Sequence, residues 1–153
     1  MPHQNGETDR VRAHTGEEVL EKIDTRTWEE VRDGAKMSDA EIERRITELE
    51  QEWDVERVLE ANAAGLGLAG LALGAFHSRR WLVIPALIFP FLLQHAVQGW
   101  CPPLAVFRRM GIRTRREIDQ EKNALKALRG DFKEVKGWTA RRRASRALDA
   151  VNR

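Results

Sequence analysis

ANAAGLGLAGLALGAFHSRRWLVIPALIFPFLLQHAVQGW, residues 61–100, is the stretch that decides how this chain folds. From Ala61 to Ser78 it contains no Asp, Glu, Lys or Arg, and from Trp81 to Phe107 there is again none. Only Arg79 and Arg80 separate the two runs. A helix that crosses a bilayer needs about 20 mostly apolar residues. The run from Trp81 to Trp100 meets this, spanning about 28 Å at 1.5 Å per residue. Tryptophans at both ends match the aromatic belts of the two membrane interfaces. Pro85 and Pro90 inside it argue against a soluble helix of this length and are better tolerated in lipid. The first run is shorter and reaches spanning length only with Val55 to Leu59 added. The connection His77-Ser78-Arg79-Arg80 allows only a tight turn, so the two helices are expected to be antiparallel. The expected architecture is all-α: a membrane two-helix antiparallel hairpin over 58–107, flanked by amphipathic cytoplasmic helices. Its first helix covers about 58–77 and its second about 81–100.

The first run is unusually rich in small residues. Gly70 and Gly74 form a G-x-x-x-G pair, and Ala63 and Gly67 a similar one. In water each glycine would weaken a helix by about 1 kcal/mol. In lipid such positions let helix backbones approach closely. Polar residues concentrate at one end: in an antiparallel pair Asn62 comes level with His95, within a turn of Gln94 and Gln98. An interhelical hydrogen-bond cluster, at about 0.6–2 kcal/mol per bond, is the favoured reading. A proton, ion or haem site is the sharper one, and a single histidine would ligate haem only across a dimer. No metal ligand set, cofactor site or catalytic constellation is expected.

Working outward, the charge divides sharply. Residues 1–60 hold 9 Lys/Arg against 18 Asp/Glu, a net of −9, and residues 61–153 hold 17 against 6, a net of +11. Either the acidic and basic arms pair or both are simply solvated. Residues 1–37 read as an acidic flexible leader with short helices, flexible through residue 16. A helix is expected over 17–23, and a second opens at the capping-box spacing Thr27-Trp28-Glu29-Glu30 and stops at Gly34. Ser38-Asp39-Ala40-Glu41 repeats the box and opens an amphipathic charged helix over 38–57. On it Ile42, Ile46, Leu49 and Trp53 form a stripe. That stripe suits packing on another helix of the chain, a short coiled coil or a membrane surface. No breaker separates this helix from the apolar block, so the two are expected to be continuous.

After the block, Pro102-Pro103 ends the second helix, and 108–153 reads as a basic cytoplasmic helical region. Thr114-Arg115-Arg116-Glu117 gives a third box, and the helix it opens carries Ile118, Leu125 and Leu128 and ends at Gly130. Residues 133–153 hold seven Lys/Arg against two Asp/Glu. Trp53, Trp81, Trp100, Arg108, Arg109, Arg113, Arg115 and Arg116 are the expected interface anchors, the arginines facing anionic headgroups. Counting Lys and Arg near the helix ends places both termini in the cytoplasm. Residues 1–7 have no apolar segment, so a cleavable signal peptide is not expected and the internal block would direct insertion.

Cys101 is the single cysteine, so no intramolecular disulfide forms and a disulfide-stapled secreted domain is excluded. It is the candidate reactive thiol, with Arg108 and Arg109 as neighbours that favour a thiolate. The plain alternative is a small apolar residue at a helix end.

Residues from about Val55 to Phe107 resemble the YgaP-like transmembrane domain. The resemblance rests on Arg57 and Asn62, the glycine/leucine first helix, and Gly99-Trp100-Cys101-Pro102-Pro103-Leu104 at the end of the second. Gly111 to Phe132 resembles a segment that follows this hairpin in some relatives. The resemblance implies a bacterial inner-membrane, multi-pass hairpin of largely unknown function that homodimerises. Some relatives are fused to a rhodanese domain, but the one cysteine here ends an apolar helix, so sulfurtransferase activity does not carry over. The expected function is that of a homo-oligomeric scaffold or accessory subunit, not an enzyme. Its expected partners are the anionic bilayer, a second copy and an unidentified membrane protein. A redox or sulfur-handling role through Cys101 is the first alternative. Nucleic-acid binding by the basic tail is the second, and is not favoured because no recognised binding fold accompanies the charge.

Overall fold

The computed structural model describes residues 9–133 together with Arg142, Ala144, Arg146 and Ala147. Most of the basic tail, and the first eight residues of the leader, lie outside the described residues. The described chain is all-helical: α1 (Arg10–Ala13), α2 (Glu17–Gly34), α3 (Asp39–Gln51), α4 (Val55–Phe76), a 3-10 turn (Arg79–Leu82), α5 (Val83–Gln98), α6 (Pro102–Arg109) and α7 (Arg115–Arg129). It divides into two compact units, Met1–Asp24 with Trp53–Arg116, and Thr25–Glu52 with Glu117–Arg153.

The first unit is built on α4 and α5, which pack antiparallel. A Cβ on Gly67 would sit 3.2 Å from Phe89 Cε1, and one on Gly70 2.6 Å from Pro85 Cδ. One on Gly74 would collide with Leu82. The partner numbers fall as the glycine numbers rise, which is the signature of opposed directions. The small residues thus admit bulk from α5 against the backbone of α4. Gly65, on another face, meets nothing within 4 Å. The second helix runs unbroken past Pro85 and Pro90 and stops at Gly99, whose φ of 73° is the left-handed cap that glycine adopts freely. Pro102 and Pro103 do more than terminate it. They occupy the first turn of α6, where a missing N–H costs nothing.

Several expectations change. Residues 10–13 are not loose: Asp9 Oδ1 caps α1 by accepting from the Val11 and Arg12 amides, both at 3.1 Å. Val11 is buried with Val55, Leu59, Cys101 and Leu104. The two expected helices at 17–23 and 27–34 are one continuous helix, with Thr27 in its interior. A Thr-x-x-Glu spacing inside a long helix looks like a start only when the preceding turn is overlooked. The charged helix and the apolar block are not continuous either. The chain breaks over 52–54, and Asp54 caps α4 by accepting from the Arg57 amide at 2.8 Å. A carboxylate at the cap and Glu56 in the first turn both favour a helix start there.

The second unit pairs α3 with the body of α7. Glu41 takes hydrogen bonds from both the amide (2.8 Å) and the hydroxyl (2.6 Å) of Ser38, completing the expected box. Ile42, Ile46 and Leu49 are buried against Ile118 and Leu125. The stripe therefore packs on a helix of the same chain. Trp53 does not join it; half of its surface is exposed and Arg57 stacks 4.7 Å from its ring. Ion pairs cross between the acidic and basic halves of the sequence: Arg45 Nε donates to Glu121 Oε1 at 3.0 Å, and Arg129 pairs with Glu43. Gly130, at φ 90°, ends α7 as expected.

Candidate functional site

The candidate site lies at the base of the α4–α5 pair, where the first turns of α4 meet the last turns of α5. The first unit encloses a cleft of about 650 Å³ there. Three carboxyl groups line it, from Asp9, Glu56 and Glu60. The last two are one helical turn apart on α4 and so share a face. Three guanidinium groups line it as well, from Arg115 and Arg116 at the start of α7 and from Arg10. Leu92, His95 and Ala96 of α5 supply the rest.

The lining is fixed by its neighbours. Arg10 Nη1 donates to the carbonyls of Ala96 (3.2 Å) and Val97 (3.0 Å), capping the C-terminal end of α5 with a cation. Thr114 Oγ1 donates to Asp9 Oδ2 at 3.0 Å. The Val55 amide donates to the Arg113 carbonyl at 2.8 Å, holding the start of α4 to the segment before α7. Glu56 is different: its Oε2 is buried and has no hydrogen-bond partner among the described residues. A carboxylate oxygen removed from water without a partner is costly.

The structure treats the sequence-predicted residues unevenly. Ala63, Gly67, Gly70 and Gly74 are all buried; Gly67 and Gly70 face α5, and Gly74 faces Leu82 of the 3-10 turn. The polar set is not joined across the two helices. Asn62 is exposed and donates to the Val58 carbonyl of its own helix at 2.8 Å, while Gln94 Nε2 donates to Gln98 Oε1 at 3.5 Å. Of the expected anchors, Trp53, Trp81 and Trp100 are exposed, as are Arg109, Arg115 and Arg116. Arg108 and Arg113 are interior residues instead. Arg108 Nε donates to Thr15 Oγ1 at 3.1 Å and its Nη1 to the Ile112 carbonyl at 3.0 Å. The reason is local: α6 is short and amphipathic, and Leu104 and Arg108, four apart, share its buried face.

Cys101 is buried, with its Sγ 3.7 Å from His95 Nδ1. Burial pushes the thiol's pKa up, against a smaller opposite effect of the Leu104 amide. The Cys101 environment therefore favours the protonated thiol over the thiolate that Arg108 and Arg109 suggested. The cleft itself was missed from the sequence. Its signal was the Glu56/Glu60 pair in the first turns of an apolar helix, together with Arg115 and Arg116.

By length and composition, two helical stretches are able to cross a membrane: Arg79–Gln98, and the apolar end of Asp39–Phe76, which is α4. No protein-family model, curated protein or solved structure gives a significant match to this chain.

Proposed function

We propose that this protein is an integral membrane protein in which α4 and α5 span the bilayer as a hairpin, and that it acts as a homo-oligomeric scaffold or accessory subunit and not as an enzyme. The observation that carries the reading is the outer surface of these helices. In the apolar window of Arg79–Gln98 only 6 % of residues are buried, whereas the core helix of a soluble protein is mostly buried. Phe76 is 92 % exposed, and Leu66, Leu68, Leu87, Leu93 and Val97 are all more than half exposed. An apolar surface this extensive needs lipid or protein to cover it. Trp81 and Trp100 stand at opposite ends of the second span, at the level of an aromatic belt. Exposed Arg109, Arg115 and Arg116 lie beyond one end and favour anionic headgroups by about 1 kcal/mol each. The same bias in Lys and Arg supports cytoplasmic termini, and the YgaP-like resemblance supports a bacterial inner membrane.

Membrane fractionation with an alkaline carbonate wash tests this. Retention in the pellet until detergent is added is expected. Release by carbonate sinks the hairpin, the topology and the family resemblance together. Replacing Arg109, Arg115 and Arg116 with Gln is expected to weaken the orientation bias in a topology reporter. An unchanged bias defeats the assignment of the termini.

A further inference from the structure

We propose that the cleft at the base of α4 and α5 seats the headgroup of a zwitterionic, primary-amine phospholipid of the phosphatidylethanolamine type. This rests on the bilayer reading above. The ammonium lies against Glu56 and Glu60, the phosphate faces Arg115 and Arg116, and the acyl chains leave along Leu92 and Ala96.

The composition of the lining selects this chemistry. Three carboxylates, Asp9, Glu56 and Glu60, oppose a purely anionic ligand, and the arginines Arg10, Arg115 and Arg116 oppose a bare cation. A molecule carrying both charges a few atoms apart complements both sets. Glu56 Oε2, buried and without a hydrogen-bond partner among the described residues, is an acceptor that a primary ammonium satisfies with an N–H donor. A quaternary ammonium has no such donor. Phosphate binding by Arg115 and Arg116 does not depend on idle side chains: a guanidinium carries five N–H donors, enough to serve a phosphate beside another partner. The volume, about 650 Å³, falls in the range of small-molecule sites. A lipid fits better than a soluble zwitterion because the cleft includes Leu92 and Ala96 from the last turns of the exposed apolar helix α5, close in sequence to Trp100.

The experiment uses the full chain, purified in detergent and delipidated. It is mixed with equimolar phosphatidylethanolamine, phosphatidylglycerol and phosphatidylcholine of matched chains, and the retained lipid is read by native mass spectrometry. Phosphatidylethanolamine is expected to be retained about tenfold over the other two, the scale of one charge-assisted hydrogen bond. Glu56→Gln should remove most of that preference and Glu60→Gln part of it. Glu29→Gln, outside the cleft, should keep it. Should Glu56→Gln lose helix content, the exposed Glu60 still decides the question. Equal retention of the three lipids overturns the proposal, as does a preference that survives both cleft variants. Equally effective competition by free phosphoethanolamine overturns the lipid assignment in favour of a soluble amine. Release of the chain by carbonate overturns the bilayer reading and this site with it, whereas a carbonate-resistant chain without lipid preference overturns the site alone.

Discussion

The two units solve the same packing problem in opposite senses. In the second unit the apolar stripe of α3 is narrow and turned inward, Ile42, Ile46 and Leu49 meeting Ile118 and Leu125, and charge covers the outside. In the first unit the smallest residues of α4 face its partner and the large apolar ones face outward. The first arrangement suits water, where large side chains gain most by burial. The second suits lipid, where large apolar groups gain nothing by hiding and close backbone approach holds helices together. Which residues a helix turns toward its partner, large or small, therefore reports the solvent around it.

The sharpest way to break this contrast is to truncate each interface. Leu49→Ala, at a fully buried position, is expected to cost the α3–α7 pair about 3–4 kcal/mol. Amide hydrogen exchange in α3 and α7 should then accelerate while α4 and α5 stay protected. Uniform acceleration across all four helices would show that the units do not respond separately. Glu121→Ala should cost about 3 kcal/mol by the same readout, the low end for breaking a buried ion pair, because Glu30 and Glu48 remain beside Arg45.

For the first unit the informative change is an enlargement. Gly70→Leu forces a side chain where a Cβ already lies 2.6 Å from Pro85 Cδ and 2.9 Å from Ile84 Cβ. A loss of about 2 kcal/mol is expected, read as weakened crosslinking between cysteines placed on α4 and α5 in a Cys101→Ser background. Gly65→Leu, into open space, should leave that crosslink unchanged. If the two variants behave alike, the glycine-lined α4–α5 contact is not what holds the hairpin. The smallest effect concerns Cys101. Its raised pKa means that less thiolate exists in the folded chain than in the unfolded chain at any given pH. The thiol's contribution to stability is therefore present at low pH and declines as pH rises through the unfolded thiol's range. Maleimide labelling of the folded chain near neutral pH should be at least about tenfold slower than in denaturant. Equal rates would restore the reactive-thiol reading.

Much of this was legible in the sequence because it rests on periodicity. The glycines of α4, the Ser38–Glu41 box and the Ile42–Leu49 stripe each carry a helical spacing that short-range sequence displays. What escaped depended on contacts between residues far apart in the chain. Val11 is a lone valine in a polar leader, and nothing near it in sequence announces that Val55, Leu59 and Leu104 cover it. Arg108 and Arg113 were grouped with their neighbours by charge, whereas the four-residue step from Leu104 to Arg108 pointed inward. Asp54 was readable as a cap, yet the uninterrupted helix-forming residues around it hid the break.

The grip of Arg10 on the carbonyls of Ala96 and Val97 has a consequence for biosynthesis. Arg10 is polymerised 86 residues before the first of its two acceptors. At about 5–20 residues per second, roughly 4–17 s pass before that acceptor exists. Throughout that interval Arg10 has neither of these carbonyls to bind, while α4 and most of α5 are already being made. The clasp thus cannot close before the helix it caps is complete, and the bond from Thr114 to Asp9, 105 residues apart, must wait longer still.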